Sequence, residues 1–197
     1  MYLYLVRHGQ SVGNERQLFF GWSDHPLTEL GREQARQAAE KLKEVSFARC
    51  VSSDLTRAWD TARICMEGRG IGVEGDPALR EQDMGEMEDL TFAQAQERYG
   101  ELFERMLDDW SHVDPPGGES VAHMKERIGR CVDRIVRRGE DTLIVAHNGS
   151  LSLILSHLGL ARESELMNHN YNWFFRHGTY SVIRVEQTGA ELMYFNK

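Results

Sequence analysis

Apolar and polar residues follow two different periods along the chain, which predicts strands and helices in alternation. Short apolar runs bounded by turn residues indicate strands, and apolar residues three and four positions apart indicate amphipathic helices. The strands are predicted at 2–6, 48–51, 71–73, 142–146, 180–185 and 191–195. The helices are predicted at 28–45, 55–65, 92–107, 121–136 and 151–158.

Polar residues and glycine mark where these helices begin and break. Thr28 and Ser120 are predicted N-caps, because their hydroxyl oxygens can accept from backbone N–H groups of the first turn. Ser52-Ser53-Asp54 supplies similar side chains before the helix at 55–65. Gly100 is predicted to break the helix at 92–107, and the period is lost between 79 and 90, which places Glu81 on a loop.

This alternation predicts an α/β fold, a three-layer α/β/α sandwich with a mostly parallel sheet. The last two strands, separated by a turn at 187–189, are expected to form an antiparallel edge. A length of 197 residues and a hydrophobic content of 41% predict a single domain over 1–197, with a lid at residues 82–118. In such sheets, ligands bind beyond the carboxyl ends of the strands.

Composition and charge argue against several classes of function. The net charge of −8 without a basic stripe argues against a nucleic-acid partner, and no apolar run is long enough to span a membrane. The three cysteines are widely spaced, which indicates buried, reduced thiols. The first apolar run is too short for a signal peptide, so we expect a cytoplasmic protein. The oligomeric state stays open, a homo-oligomer included.

Two histidines occupy equivalent places in this pattern. His8 follows the first strand and His147 follows the strand at 142–146, and each has a glycine one or two residues later. Because parallel strands end at the same edge of a sheet, their loops are expected to meet. Gly9 and Gly149 would let backbone N–H groups approach an anion, and phosphate is the expected occupant.

Further donors are expected at the same edge. Arg7 precedes the first histidine, Arg57 opens a helix, and both carry planar sets of N–H donors. Asn14 adds a neutral donor. The predicted phosphate-binding residues are Arg7, His8, Asn14, Arg57 and His147.

A neutral imidazole is nucleophilic near pH 7, so His8 is the predicted acceptor of the phosphoryl group. Glu81 is the predicted acid that protonates the leaving group and then the base that activates water, with a pKa raised by burial and by the charge of the phosphate. Catalytic roles are thus predicted for Arg7, His8, Arg57, Glu81 and His147. No cofactor or metal is predicted.

Other interpretations of these residues were weighed. A metal site lacks support, because the chain contains no HxH, HExxH or Asp-rich spacing. Arg57 could pair with Asp54 or Asp60 on its own helix. Asp83, Glu86 and Glu88 could replace Glu81, and the remaining histidines are expected to be structural. Some large apolar residues could line a pocket, but packing is the preferred interpretation; they are Trp22, Met84, Met87, Phe92, Met106 and Trp110.

Ordered motifs carry a resemblance to a known family. The longest are Leu5-Val6-Arg7-His8-Gly9-Gln10-Ser11 with Asn14, Ser52-Ser53-Asp54-Leu55-Thr56-Arg57-Ala58, and Val145-Ala146-His147-Asn148-Gly149. Shorter ones are Gly21, Leu27-Thr28-Glu29-Leu30-Gly31, Leu79-Arg80-Glu81 and Pro116-Gly117-Gly118-Glu119-Ser120. Over nearly its whole length the chain resembles the histidine phosphatase (phosphoglycerate mutase-like) superfamily. The resemblance implies a phosphorylated His8, a phosphate clamp of Arg7, Arg57 and His147, a contact from Asn14, and proton donation by Glu81.

Within that superfamily, the loop at 115–120 and the C-terminal segment resemble the α-ribazole phosphatases. The family's Trp-Glu-Gly pattern is altered, with Met87 in place of the aromatic residue and Asp89 in place of the glycine. The mutases of the family carry paired lid arginines, whereas Arg98 and Arg105 are isolated here. The expected function is hydrolysis of a small phosphorylated metabolite, with a bisphosphoglycerate-dependent mutase and a non-catalytic phospholigand-binding protein as alternatives.

Overall fold

A six-stranded mixed sheet runs through the centre of the protein in a computed structural model that describes residues 1–110, 112–162 and 173–197. The strands are β1 (Tyr2–Arg7), β2 (Leu18–Phe19), β3 (Arg49–Ser52), β4 (Val73–Gly75), β5 (Leu90–Thr91), β6 (Thr142–Ala146), β7 (Ser181–Glu186) and β8 (Gly189–Tyr194). The large sheet has the order β4-β3-β6-β1-β7-β8. Its first four strands are parallel, and β7 and β8 are antiparallel. The predicted α/β fold with an antiparallel edge is confirmed.

Helices cover both faces of this sheet. The described helices are α1 (Val12–Glu15), α2 (Glu29–Lys41), α3 (Thr56–Met66), α4 (Phe92–Tyr99), α5 (Glu101–Asp108), α6 (Val121–Arg138) and α7 (Asn148–His157), of which α2, α3, α6 and α7 pack against the large sheet. Leu3 and Leu5 of β1 pack in the core that contains α6 and α7. Val6 packs on the opposite face with α2 and α3, as the alternation of side chains along a strand requires.

The lid forms a smaller body with its own core. β5 pairs with β2 in a two-stranded antiparallel sheet, which the sequence pattern did not predict. Gly100, with φ of 48°, separates α4 from α5, as predicted. The apolar side chains of this core are Met84, Met87, Ala95, Phe103, Met106 and Val113.

Helix starts differ from prediction where the capping group is distant in sequence. Thr28 and Ser120 cap α2 and α6, as predicted. The N-cap of α3 is Leu55, without a side-chain cap; instead Asp24 accepts the Thr56 N–H at 2.8 Å. The predicted capping by residues 52–54 is therefore wrong. Helix α7 begins three residues earlier than predicted, directly after His147.

The three cysteines, Cys50, Cys65 and Cys131, are buried and unpaired. Burial raises the pKa of each thiol to about 12, so they stay protonated and unreactive. In the described ranges, no helix has both the length and the apolar character to cross a bilayer.

Candidate active site

His8 and His147 lie side by side at the carboxyl edge of the sheet. Their strands are adjacent and parallel, with Arg7 in register with Ala146, and the His8 N–H donates to the Ala146 carbonyl at 3.0 Å. The ring centroids are 5.1 Å apart, and both residues are buried. The two histidine loops therefore meet, as the sequence pattern predicts.

One tautomer of His8 follows from its hydrogen bond. Nδ1 lies 2.7 Å from the Gly9 carbonyl oxygen, and since a carbonyl only accepts, Nδ1 must carry the proton. The lone pair on Nε2 is then available. Burial is the main cause that lowers the pKa of His8 well below 6.5, with the neighbouring cationic groups adding to it. The ring is therefore neutral and oriented, as the predicted role of nucleophile requires.

Arg57 is buried next to this ring. Its Nε donates to His147 Nδ1 at 3.3 Å, and its Nη1 and Nη2 donate to the carbonyls of Ser23 and Gly21. A guanidinium has five N–H groups, so one N–H on each terminal nitrogen remains for an oxyanion. The paired geometry suits two oxygens of one phosphate.

His147 orients this arginine. Because Nδ1 accepts from Arg57, Nε2 carries the proton and donates to Ser53 Oγ at 2.8 Å. Burial, reinforced by the charges of Arg57 and Arg7, lowers its pKa well below 6.5. Both ring nitrogens are thus engaged within the protein, and the predicted contact of His147 to phosphate stays a prediction.

Arg7 is the second cation of the site. Its Nη1 donates to the Phe175 carbonyl at 3.0 Å and its guanidinium stacks on Phe174. Its buried Nε finds no partner within the described part of the chain. Burial lowers the pKa of Arg7 to about 10, so it remains cationic at pH 7. An unpaired buried N–H on a residue that lines the same chamber as His8 is a ready contact for an anion.

Glu81 reaches the site from the loop before the lid. Its Oε2 accepts the Gly149 N–H at 2.9 Å, and its main-chain carbonyl accepts from Trp22 Nε1 and Arg127 Nη2. A Cβ on residue 149 would lie 2.3 Å from Glu81 Oε1. The absence of a side chain at residue 149 therefore lets the Glu81 carboxylate approach the backbone this closely. The predicted approach of the Gly9 and Gly149 N–H groups to phosphate is not seen, since the Gly9 N–H donates to Thr61 Oγ1 and the Gly149 N–H donates to the Glu81 carboxylate.

Substitution of Gly149 by alanine tests that contact. We expect kcat/KM to fall about 100-fold, because displacing a catalytic group by about 1 Å costs that much. Alanine favours a helix over glycine, so the loss should occur without a matching loss of melting temperature. Gly72→Ala is the control, because a Cβ there meets no atom within 4 Å. Full activity of Gly149→Ala would mean that Glu81 does not need this close approach.

Asn14 lies at the third position of α1. Its Oδ1 accepts from the Ser11 N–H and hydroxyl, which completes a capping box. Its Nδ2 donors therefore remain for the cavity that Asn14 lines. The predicted contact to an oxyanion stays a prediction.

Two adjoining chambers surround these groups. The inner chamber, about 180 Å³, is lined by Arg7, His8, Asn14, Leu18, Phe19, Phe20, Arg57, Glu81, Met84, Phe92, His147 and Asn148. The outer chamber, about 300 Å³, is lined by Phe19, Phe20, Glu81, Met84, Met106, Leu107, Trp110, Asn148, Gly149 and Ser152. Glu81 lies at the wall they share. The described lining of the inner chamber is thus cationic, with Arg7 and Arg57, and that of the outer chamber is largely apolar.

Several alternatives weighed from the sequence are settled by contacts. Asp54 pairs with Arg80 and Asp60 with Arg32, so neither neutralises Arg57. Glu86 pairs with Arg98. Packing alone is the wrong interpretation for Met84, Phe92, Met106 and Trp110, which line the chambers, although Met84 and Met106 also pack in the lid core; Met87 packs in that core without lining a chamber.

Four of the remaining histidines contact carboxylates away from the chambers, as expected of structural residues; they are His25, His112, His123 and His157. His169 lies outside the described residues. The structural assignment of His177 missed its place beside the site: its ring is 5.6 Å from that of His8, and its Nδ1 donates to the His8 carbonyl. No sequence motif pointed to this contact. Across the described ranges, no group of His, Cys, Asp and Glu side chains is arranged to hold a metal ion.

These buried histidines make stability depend on pH. Burial lowers the pKa of His177 to about 4, and those of His8 and His147 fall well below 6.5. An unfolded chain binds these protons near pH 6.5, so below that value the unfolded state holds more protons than the folded state. We expect the free energy of unfolding to be at its full value above pH 6.5 and to fall as the pH decreases from 6.5 toward 4. The part of this loss that is due to His177 is about 3 kcal/mol over that range.

Urea denaturation at pH 7.5, 6 and 5 measures this loss. In His177→Gln, part of the pH dependence should disappear, because residue 177 no longer titrates. His112→Gln is the control, since the side chain of His112 is largely exposed. A stability that does not change between pH 7.5 and 5 would contradict the prediction.

Comparison with known proteins supports the motif analysis. The family model of the histidine phosphatase superfamily (branch 1) matches residues 3–197. The chain is 32% identical over 200 residues to the adenosylcobalamin/α-ribazole phosphatase of Escherichia coli K12, covering 100% of this chain and 96% of the relative. It is 36% identical over 181 residues to the 2,3-bisphosphoglycerate-dependent phosphoglycerate mutase of Parvibaculum lavamentivorans, covering 85% and 84% of the two chains.

A solved structure agrees over the full length. The crystal structure of the α-ribazole phosphatase from Shigella flexneri superimposes with a TM-score of 0.90 at 32% identity, covering 100% of this chain and 96% of the other. Together with the adjacent histidines and the arginines beside them, these matches establish the family. The chain belongs to the histidine phosphatase superfamily.

Proposed function

We propose that this protein hydrolyses phosphomonoesters through a phosphorylated His8. The observation that supports this proposal best is the inner chamber, where the free Nε2 of a neutral His8 lies with two arginines and one carboxylate. Two arginines and one carboxyl group leave a net positive charge whether Glu81 is ionised or protonated, which favours a phosphate dianion. A positioned nucleophile with donors for the equatorial oxygens meets the needs of phosphoryl transfer.

The reaction follows in two displacements. The lone pair of His8 Nε2 attacks phosphorus, the ester P–O bond breaks, and Glu81 gives its proton to the leaving oxygen. Water then attacks phosphorus, Glu81 takes a proton from that water, and the P–N bond breaks to release phosphate. Throughout, the hydrogen bond from Nδ1 to the Gly9 carbonyl keeps the ring oriented.

Hydrolysis is favoured over mutase activity by the position of the lid arginines. Arg98 is exposed, pairs with Glu86 and stacks on Tyr99, and neither Arg98 nor Arg105 lines a chamber. A mutase substrate brings a carboxylate and needs a second cationic site. The described lining of the outer chamber contains no cation.

The residues that line the outer chamber also support a proposal for the class of substrate. The outer chamber combines aromatic and aliphatic walls with the polar groups of Asn148 and Ser152, a composition typical of small-molecule sites. The leaving group is therefore proposed to be uncharged and largely apolar. The α-ribazole 5'-phosphate suggested by the resemblance has such a ring system, whereas phosphoserine and sugar phosphates lack one. A screen of phosphorylated metabolites for released phosphate ranks these candidates.

Leu107 tests the proposed leaving-group site. We expect Leu107→Ala to lower kcat/KM for 1-naphthyl phosphate about fivefold, because about 1 kcal/mol of apolar contact is lost. Hydrolysis of phosphoserine should change less than twofold. Leu102→Ala is the control, since Leu102 packs in the lid without lining a chamber. Equal losses for both esters would show that the outer chamber does not hold the leaving group.

Two assays separate the alternative functions. Conversion of 3- to 2-phosphoglycerate with 2,3-bisphosphoglycerate present, at a rate exceeding phosphate release, would establish the mutase. Absence of turnover and of a phosphoenzyme with every reactive ester, together with retained phosphate binding, would favour the binding protein.

A further inference from the structure

One backbone turn holds the guanidinium of Arg57. Nη1 donates to the Ser23 carbonyl at 2.9 Å and Nη2 donates to the Gly21 carbonyl at 2.5 Å. These two bonds fix the plane of the guanidinium. The direction of its two unused N–H groups therefore depends on the turn at 21–23.

A single carboxylate holds the opposite side of this turn. Glu88 accepts the N–H groups of Gly21 at 3.0 Å, Trp22 at 2.7 Å and Ser23 at 3.0 Å. It also accepts the Met84 N–H at 2.9 Å. The N–H groups of the turn thus point at Glu88, while two of its carbonyls bind the arginine. Burial lowers the pKa of Arg57 to about 10, and the negative charges of Glu81, Asp24 and Glu88 partly oppose that shift.

Asp89 adds a second attachment to the same segment. Ser23 Oγ donates to one oxygen of Asp89 at 2.8 Å, and His25 Nε2 lies 2.5 Å from the other. Asp89 adopts φ of 65°, the left-handed region, where glycine is the common residue. The glycine of the family pattern would suit this backbone but would have no carboxylate. Asp89 in place of that glycine therefore keeps the backbone conformation of residue 89 and adds side-chain contacts to Ser23 and His25.

We propose that Glu88 and Asp89 are positioning residues that act through the 21–23 turn to set the orientation of Arg57 toward phosphate. This inference rests on the proposed function of the site. It assigns Glu88 a role at a distance from the reacting atoms, distinct from the proton transfer of Glu81. The neighbouring acid Glu86 has no part in it, because its contacts are with Arg98 and Tyr99 on the outside of the lid.

The first test measures phosphate recognition in Glu88→Gln. The inhibition constants of inorganic phosphate and of orthovanadate are expected to rise about tenfold, because the amide removes both the charge and one acceptor of the turn N–H groups. For p-nitrophenyl phosphate, kcat should fall about tenfold, since Arg57 acts on the transferring group. Glu86→Gln should stay within twofold of wild type. Unchanged inhibition constants in folded Glu88→Gln would overturn the inference.

A double-mutant cycle separates positioning from general support of the fold. If Glu88 acts through Arg57, then Glu88→Gln should not further weaken phosphate binding in an Arg57→Ala background. A full additional tenfold loss in that background would show that Glu88 acts independently of Arg57, and the proposal would be wrong. A wild-type protein that fails to bind phosphate or form a phosphoenzyme would instead refute the proposed function.

Asp89 provides a variant that is expected to fold. Glycine is at ease at φ of 65°, so Asp89→Gly should keep its melting temperature while the inhibition constant of phosphate rises about threefold. Asp89→Asn keeps an acceptor for Ser23 and should recover most of the affinity. Wild-type phosphate affinity in Asp89→Gly would remove Asp89 from the proposal.

Discussion

Replacement of His8 by alanine should abolish turnover. The proposed nucleophile is lost, and the other imidazole among the described lining residues of the inner chamber, His147, has both ring nitrogens bonded. We expect kcat to fall at least about 10⁴-fold, the scale seen when a covalent nucleophile is removed. Arg7, Arg57 and Glu81 stay in place, so the variant should still bind phosphate.

The phosphoenzyme gives the direct measurement. Wild-type protein quenched in acid during turnover should carry base-stable phosphohistidine, and His8→Ala should carry none. Activity of the wild type should persist in EDTA. His112→Ala is the matched control, because His112 lies on the exposed side of the lid. Metal-dependent turnover by His8→Ala would refute the proposed chemistry.

Substitution of Glu81 by glutamine should have the second largest effect, and its size should depend on the leaving group. An amide cannot donate the proton that an alkoxide needs, so kcat for an alkyl phosphate is expected to fall about 10³-fold. The p-nitrophenolate ion leaves without a proton. Formation of the phosphoenzyme from p-nitrophenyl phosphate should therefore slow much less.

Burst kinetics separate the two steps. With p-nitrophenyl phosphate, Glu81→Gln should give a burst of nitrophenol followed by slow turnover, because water attack on phospho-His8 also needs the carboxylate. Glu86→Gln, Asp83→Asn and Glu88→Gln show whether another acid replaces Glu81. If one of these three substitutions, and not Glu81→Gln, produces the loss expected of a missing proton donor, the assignment of that role to Glu81 is wrong.

Strands and helices could be predicted where the local pattern is strong. β6 was predicted at its observed bounds, because a central parallel strand is buried on both faces and forms a continuous apolar run. β2 and β5 were missed, since strands of two residues have no period. The N-cap of α3 was wrong because Asp24, 32 residues before Thr56, accepts its N–H.

Prediction of the candidate site from the sequence has the same limit. Motifs identified six residues that line the inner chamber, Arg7, His8, Asn14, Arg57, Glu81 and His147, but they did not point to Leu18, Phe19 or Phe20 in the same lining. The contact between His177 and His8 joins residues 169 apart, and the bonds from the 21–23 turn to Glu88 span more than 60 residues. Nothing in the local pattern predicts such pairs, because they depend on how the lid and the C-terminal segment pack.

The parallel pairing of β1 with β6 has an evolutionary consequence. The two histidines are held by sheet backbone, whereas much of the outer chamber is built from lid side chains. Mutations in Met106, Leu107 or Trp110 can accumulate without moving the nucleophile. New substrates are therefore accessible by gradual drift of the lid, and a library randomised at these positions is a practical starting point for directed evolution of the enzyme.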